Sequence, residues 1–276
     1  MNAATVRLFE GRTDPHGNTG LFLIAGPCVL EDDPIHFLIA DTLAALSNRY
    51  GVPIIFKASF DKANRSAPGS KRGPGIEPGL DALRRVRERS KLPVLTDIHL
   101  PEQASLAAEV VDAIQVPAFL CRQTDLLTAA AETDRPVNVK KGQWMAPEHI
   151  AGPVEKLRAG GVREIAVTER GTAFGYGRWV VDMRSFAVMR EVAGCATIFD
   201  ASHSVQLPGG SGSVSGGEPS HIESLAAAAV AAGADGLFVE VYPEPASAGC
   251  DGANMLPLDR LDGLLARCTR IRAAAA

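Results

Sequence analysis

Residues 53–66 read PIIFKASFDKANRS, an apolar run that passes directly into a cationic loop. The run Pro53 to Phe56 predicts a strand, and the loop after it is too polar for a protein core because it carries Lys57, Lys62 and Arg65. Lysine supplies a point charge and arginine a guanidinium that can form two parallel hydrogen bonds. A strand that ends in such a cluster therefore suits phosphate or carboxylate binding. Taken alone, the run is more typical of a solvated loop, and its meaning depends on the other strand ends.

Similar short apolar runs recur along the chain and alternate with segments of helical length. The predicted strands are Leu21–Ala25, Pro53–Phe56, Pro93–Thr96, Ala113–Val116, Pro136–Val139, Glu164–Val167, Thr197–Phe199 and Gly236–Val239. The predicted helices are Pro34–Tyr50, Glu77–Ser90, Pro101–Val110, Gln123–Thr133, Pro147–Gly160, Asp182–Ala193, Ser220–Ala232 and Leu258–Arg272. Strict alternation predicts parallel strands with right-handed crossovers, and strands without a polar face are typical of burial on both sides. Eight such units favour a closed (β/α)8 TIM barrel over an open doubly wound sheet.

The predicted barrel accounts for the whole chain. No linker divides the 276 residues, of which 46% are hydrophobic, so we expect residues 1–276 to form a single barrel domain. Residues 1–20 precede the first strand, and we expect a hairpin or extension there, placed across the barrel bottom.

Charge and cysteine usage exclude several classes of protein. The net charge of −4 gives no global field for nucleic acid or anionic membrane, and no apolar run is long enough to span a bilayer. The five cysteines are widely spaced and lack a C-x-x-C pair, so neither a disulfide framework nor a zinc ribbon is indicated. We therefore expect a soluble cytoplasmic protein that binds neither nucleic acid nor membrane.

The predicted strand ends carry the chemistry, because active sites of such barrels lie at the carboxyl ends of the strands. The residues there are Cys28, Lys57, Asp97, His99, Gln115, Lys140, Lys141, Glu169, Arg170, Asp200, His203 and Glu240. Cys28, His203 and Glu240 follow the first, seventh and eighth strands, which are neighbours in a closed barrel, and Asp251 comes in the next loop. This mixture of thiolate, imidazole and carboxylates suits Zn²⁺, Fe²⁺ or Mn²⁺, although each residue alone fits an ordinary core or hydrogen-bonded role.

A second set of strand-end residues is cationic. It consists of Lys57, Lys62, Arg65, Arg122, Lys140 and Arg170. These groups would repel one another around one barrel mouth unless anions fill the space, so the substrates should carry several negative charges, as phosphates and a carboxylate. The triplet Asn64-Arg65-Ser66 offers an amide, a guanidinium and a hydroxyl that could bind a sugar phosphate. We read Lys71 and Lys141 as surface lysines because their flanks look exposed.

Nine stretches of the chain resemble one enzyme family. They are IAGPC (24–28), FKASFDKANRS (56–66), RGPG (72–75), LTDIH (95–99), QVPAFLCRQT (115–124), NVKKGQ (138–143), TERG (168–171), FDASHSVQLPGG (199–210) and CDG (250–252). At these residues the chain resembles the 3-deoxy-D-manno-octulosonate 8-phosphate synthases. These enzymes condense phosphoenolpyruvate, arabinose 5-phosphate and water, and release inorganic phosphate.

The resemblance implies a (β/α)8 barrel, a homotetramer and a cytoplasmic transferase of lipopolysaccharide precursor synthesis. By position, Lys62, Lys140 and Arg170 would hold phosphoenolpyruvate, with Lys57 and Gln115 close by. Asn64, Arg65 and Ser66 would hold the pentose phosphate, while Phe119 and Arg122 would reach across to or from a neighbouring subunit. Asp97 and Gln206 would line the cavity, with Asp97 among the catalytic groups. Asp251, Lys140 and His203 are the candidate proton carriers.

Details within the motifs narrow the choice among related enzymes. The sister synthase that uses erythrose 4-phosphate typically has KPRTS where this chain has KANRS (62–66), which favours the pentose phosphate. Cys28 implies the metal-dependent class, whereas the CDG motif at Cys250 resembles the metal-independent class. Further departures lie at Lys71, 177–179, 218–219 and Tyr242. Two alternatives stay open: the same chemistry on another aldose phosphate, and a non-catalytic barrel that binds phosphosugars.

Overall fold

Eight parallel strands close into a barrel within the described part of the chain, which confirms the predicted (β/α)8 architecture. The computed structural model describes residues 7–11, 20–64, 71–211 and 214–275. The barrel strands are β1 (Phe22–Gly26), β2 (Ile54–Lys57), β3 (Val94–Asp97), β4 (Ala113–Val116), β5 (Val137–Lys140), β6 (Ile165–Glu169), β7 (Ala196–Asp200) and β8 (Gly236–Tyr242). Each strand pairs with the next, and β8 pairs with β1 from Phe22↔Gly236 to Gly26↔Glu240, which closes the sheet.

A helix follows each barrel strand and covers its outer face. The helices are α1 (Asp33–Tyr50), α2 (Ile76–Ser90), α3 (Gln103–Ala108), α4 (Thr124–Ala131), α5 (Ala151–Ala159), α6 (Ser185–Ala193), α7 (Ile222–Ala231) and α8 (Leu261–Ala275). Local sequence sets the ends of α1, since Asp32 accepts a hydrogen bond from the Ile35 amide and Gly51 adopts a left-handed conformation. In the fifth unit Pro147–Ile150 forms a separate 3-10 turn, so α5 begins later than predicted.

Large apolar side chains fill the inside of the barrel toward the amino-terminal ends of the strands. Phe22, Ile55 and Phe238 belong to this inner cluster, and Phe9 joins it from the segment before β1. The Phe9 ring lies 6.2 Å from that of Phe22, and its amide donates to Glu164 Oε1 at 2.5 Å. Residues 7–11 therefore pack at the amino-terminal end of the barrel. The rest of the hairpin predicted for residues 1–20, apart from Gly20, lies outside the described residues.

Two short hairpins extend from the opposite, carboxyl end of the strands. Thr172–Ala173 pairs with Trp179–Val180 after β6, and Gln206–Ser211 pairs with Val214–Gly217 after β7. The segment Leu256–Pro257 adds a parallel pairing to the end of β8. These additions enclose the end of the barrel where the predicted site residues lie. Among the helices of the described ranges, none has the length and apolar content that crossing a membrane requires.

Candidate active site

A cavity of about 880 Å³ opens at the carboxyl ends of the strands. The predicted site residues that line it are Lys57, Lys62, Asn64, Asp97, Gln115, Phe119, Lys140, Arg170, His203, Gln206 and Asp251. Cys28 and Glu240 are buried beside it, at 0% and 1% exposure. Arg122 instead lines a second groove with Trp144 and Lys156, and Arg65 and Ser66 lie outside the described residues. The closed barrel thus brings together side chains that are far apart in sequence.

Lys57 lies at the floor of the cavity between two carboxylates. Its Nζ is 3.8 Å from Asp97 Oδ1 and 3.7 Å from Glu240 Oε1, and it donates to Ser59 Oγ at 2.9 Å. Ser59 Oγ in turn donates to Asp97 Oδ1 at 2.5 Å. Burial alone would favour the neutral acid, yet Lys57 and the hydrogen bond with His99 lower the pKa of Asp97 well below its usual range. The floor is therefore an ionised network that holds Lys57 in place.

Lys62 adds a second ammonium group near Glu240. Its Nζ lies 4.0 Å from Glu240 Oε1, and the side chain is 9% exposed. Burial by itself lowers the pKa of Lys62, but nearby acidic groups, Glu240 and Asp97 among them, outweigh it and raise that pKa well above the usual value. Lys62 is therefore a buried cation at the edge of the cavity, which suits binding of an anion.

Asp200 links Lys140 and His203. Its Oδ2 accepts from Lys140 Nζ at 2.6 Å and from His203 Nδ1 at 2.7 Å, and its Oδ1 accepts the His203 amide at 2.8 Å. Lys140 Nζ also lies 3.5 Å from the centre of the Phe238 ring, a cation–π contact. A carboxylate partner at Nδ1 holds a ring proton there and directs Nε2 toward Glu240 Oε1, which lies 3.7 Å away. Burial lowers the pKa of Lys140, which eases loss of its proton.

Side-chain amides also orient Arg170 and Gln115 by hydrogen bonds. Arg170 Nη2 donates to Gln206 Oε1 at 2.6 Å, and its guanidinium lies 5.3 Å from the centre of the Trp179 ring. Gln115 Oε1 accepts from Asn138 Nδ2 at 3.0 Å, which fixes the orientation of that amide. Gln115 is thus held by the neighbouring strand β5, and Arg170 by the hairpin after β7.

The predicted metal ligands converge beside this cavity. Donor atoms of His203, Glu240 and Asp251 lie within 4.8 Å of one another, and so do those of Cys28, Cys250 and Asp251. Neither carboxylate oxygen of Glu240 has a hydrogen-bond donor among the described residues, although the side chain is buried. Burial and the neighbouring Cys250 raise the pKa of the Cys28 thiol well above its usual value, so the thiol keeps its proton unless a cation is bound.

One sequence prediction is wrong and several site residues were missed. Lys141 is not a surface lysine, because it is fully buried and its Nζ lies 3.5 Å from Glu169 Oε1 and donates to Thr172 Oγ1 at 3.1 Å. Cys250 lies beside Cys28, and Asp200 was noted only as a strand end although it orients two site residues. Gln143 and His99 also line the cavity. A local signal existed for Asp200, which stands three residues before His203.

Positions where the chain departs from the resemblance have identifiable contacts. Arg178 Nη1 lies 3.0 Å from Glu218 Oε2, so two of the departures form an ion pair between the loops after β6 and β7. The hydroxyl of Tyr242 donates to Glu31 Oε2 at 3.3 Å, and burial together with Glu31 raises the pKa of Tyr242 to about 12. None of these departures removes a residue from the cavity.

The fold and the site define a (β/α)8 barrel with a cavity lined by cationic side chains, which suits anionic ligands, and with an adjoining cluster of side chains able to bind a metal. The chain belongs to the DAHP synthetase I family, which matches residues 12–272. It is 53% identical to the 2-dehydro-3-deoxyphosphooctonate aldolase of Desulfosudis oleivorans, over 94% of this chain and 93% of the relative. It is 57% identical to the enzyme of the same name from Nitratidesulfovibrio vulgaris (strain DP4), over 88% and 89% of the two chains. The enzyme of that name from Trichlorobacter lovleyi is 51% identical over 95% and 96%.

Proposed function

We propose that this protein condenses phosphoenolpyruvate with D-arabinose 5-phosphate and water to give 3-deoxy-D-manno-octulosonate 8-phosphate and inorganic phosphate. The names and high identity of the relatives support this activity. The single observation that carries it is the convergence of the buried cations Lys57, Lys62, Lys140 and Arg170 on one cavity. Cations that line one cavity suit anionic ligands, and the two substrates supply two phosphates and a carboxylate.

The positions of the cations suggest how the substrates are divided. Lys62, Lys140 and Arg170 would hold the phosphate and carboxylate of phosphoenolpyruvate, with Lys57 and Gln115 beside its reacting carbons. Asn64, with Arg65 and Ser66, would hold the pentose phosphate at the outer side of the cavity. Asp97 and Gln206 would complete the walls. These roles place both substrates so that carbon 3 of the enolpyruvate faces the sugar aldehyde.

The arrangement of Phe119 and Arg122 supports an oligomeric enzyme. Phe119 is 56% exposed and stacks on Trp144, and Arg122 lies in the adjoining groove outside its own chain's cavity. In a homotetramer both side chains would contact a neighbouring subunit, and Arg122 would reach its cavity. We place the tetramer in the cytoplasm, in agreement with the lipopolysaccharide precursor pathway that the resemblance implies.

The metal-dependent class fits the ligand cluster. Cys28, His203, Glu240 and Asp251 would hold a divalent ion such as Zn²⁺, Fe²⁺ or Mn²⁺, and the buried Glu240 oxygens without donors are the observation that favours it. A bound ion would supply Lewis-acid activation or a template for water or the sugar aldehyde. His203 is prepared for such a role because Asp200 keeps the proton on Nδ1.

The reaction requires charge stabilisation and proton transfer at two carbons. Carbon 3 of phosphoenolpyruvate attacks the aldehyde, water adds to carbon 2, and the carbon–oxygen bond to phosphate breaks. Lys57, Lys62 and Arg170 stabilise the negative charge that develops on the phosphate and carboxylate. Lys140, with its lowered pKa, can donate a proton to the new alkoxide or to the leaving phosphate. Asp251 and His203 line the same cavity and can also carry a proton.

Release of phosphate from phosphoenolpyruvate tests the proposal. The purified protein, in buffer with a divalent metal, is incubated with arabinose 5-phosphate, with erythrose 4-phosphate or without an acceptor. We expect rapid release only with arabinose 5-phosphate. Preference for erythrose 4-phosphate would contradict the assigned acceptor, and absence of release under all three conditions would contradict any catalytic role for this cavity.

A further inference from the structure

Cys250 is a cysteine that the proposed reaction does not use. It stands 222 positions after Cys28 in the sequence, yet the loop after β8 brings the two Sγ atoms to 2.7 Å. Both cysteines are free, and both are buried, at 0% and 4% exposure. The chain therefore places a second thiol directly beside the cysteine that marks the metal-dependent class.

The carboxylate of Asp251 completes a compact set of donor atoms with these sulfurs. Its Oδ2 lies 3.4 Å from Cys28 Sγ and 3.3 Å from Cys250 Sγ. Asp251 has a left-handed backbone with φ +48°, which is uncommon for a residue with a side chain and turns the chain sharply next to Cys250. Two consecutive side chains of the loop thus point to the same place, where Cys28 meets them.

A buried carboxylate without hydrogen-bond donors adjoins this set of donor atoms. Asp251 is also grouped with His203 and Glu240, and the two Glu240 oxygens have no hydrogen-bond donor among the described residues at 1% exposure. Lys57 and Lys62 lie 3.7 and 4.0 Å from Glu240 Oε1, beyond hydrogen-bond distance, so the Glu240 oxygens keep lone pairs with which they can bind an ion. Two thiols and the Asp251 carboxylate, joined through Asp251 to His203 and Glu240, are chemically a ligand set for a thiophilic divalent ion.

We propose that Cys250 is a second thiolate ligand of the metal ion, so that the ion is bound by two sulfurs rather than by Cys28 alone. On binding, the Cys250 thiol releases its proton to solvent, and its sulfur lone pair forms the bond to the ion. A second thiolate makes the site softer and favours Zn²⁺ or Fe²⁺ over Mn²⁺. The inference rests on the metal site proposed above and adds one ligand to it.

X-ray absorption at the zinc edge counts the sulfur ligands directly. Reduced protein is stripped of metal and reloaded with one equivalent of Zn²⁺, and metal content and urea unfolding are recorded for each variant. We expect two sulfur neighbours at about 2.3 Å in the wild type and one in Cys250→Ser and in Cys28→Ser. Cys268→Ser, which changes a buried free cysteine on α8, is the matched control and should keep two.

The possible results separate this inference from the metal site itself. One sulfur in both the wild type and Cys250→Ser would overturn the role of Cys250 and leave the site with Cys28 intact. Wild-type protein that retains no zinc would overturn both. Cobalt loading gives an independent measurement that does not need a variant to be catalytically active. Sulfur-to-cobalt absorption should fall by about half in Cys250→Ser if two thiolates bind in the wild type, and unchanged absorption would contradict the proposal.

Discussion

Replacing Asp200 by asparagine tests whether this carboxylate orients the proton-transfer groups. Asp200 is fully buried, and its Oδ2 accepts from both Lys140 at 2.6 Å and His203 at 2.7 Å. An amide keeps an oxygen for the His203 amide hydrogen bond but loses the negative charge that balances Lys140. Breaking a buried ion pair by removing one partner costs about 3 to 5 kcal/mol, because the remaining charge has no compensation. We therefore expect Asp200→Asn to lower the free energy of unfolding by about 3 kcal/mol.

The same change should weaken the function of His203. Without the carboxylate, the ring no longer has a partner that keeps its proton on Nδ1, and Nε2 becomes a poorer ligand. Loss of such an orienting partner costs about 10- to 100-fold in metal affinity or activity. Urea unfolding, zinc affinity and the kcat/KM of phosphate release measure these effects. Asp134→Asn, at an exposed ion pair with Arg163 and in a left-handed conformation that asparagine tolerates, is the control and should change none of them. If Asp200→Asn keeps the stability and the kcat/KM of the wild type, Asp200 does not have this orienting role.

Three further predictions concern the metal and the bottom of the barrel. Treatment with EDTA or dipicolinate should abolish phosphate release and a divalent ion should restore it, whereas full activity after rigorous chelation would contradict the metal assignment of Cys28. Phe9→Ala should lower the free energy of unfolding by about 3 kcal/mol, because it leaves a void in the inner apolar cluster. The kcat should not change, because the cavity lies at the other end of the barrel. An altered kcat at full metal loading would show that the two ends of the barrel are not independent. Burial raises the pKa of Glu164, so the folded state favours the neutral form of this side chain. The stability of the wild type relative to Glu164→Gln should therefore rise as the pH falls from 7. It should level off below the unfolded pKa of about 4.3. Urea midpoints between pH 4 and 7.5 check this, and a difference that is constant with pH would contradict it.

Much of the fold could be predicted because its signals are local. Short apolar runs followed by helical segments specify strands buried on both faces, and eight of them close a barrel. The error at Lys141 has a simple geometric cause. Successive residues of a strand point to opposite faces, so Lys140 at the end of β5 faces the cavity and Lys141 points to the outer layer. In a barrel that layer is covered by helices, and Lys141 lies buried beside Glu169 rather than in solvent.

The position of Cys250 could not be predicted from local patterns. Its partner Cys28 lies in the loop after β1, and their contact depends on β8 pairing with β1 and on the conformation of the loop that carries Asp251. Glu240 illustrates the same limit. It was predicted to follow the eighth strand but lies within it, because β8 continues to Tyr242. Only the closed barrel shows that Glu240 lies near both the lysines Lys57 and Lys62 and the predicted metal ligand His203.

Glu240 connects the anion cavity to the metal ligands. Its Oε1 lies 3.7 Å from Lys57 Nζ, 4.0 Å from Lys62 Nζ and 3.7 Å from His203 Nε2. The two lysines are therefore partly neutralised by a carboxylate that the metal would also use. An ion bound to Glu240 would withdraw its charge from Lys57 and Lys62 and leave them available to the substrate phosphate and carboxylate. Because such coupling is reciprocal, phosphoenolpyruvate would in turn bind more tightly to the metal-loaded protein and strengthen its hold on the ion by the same factor.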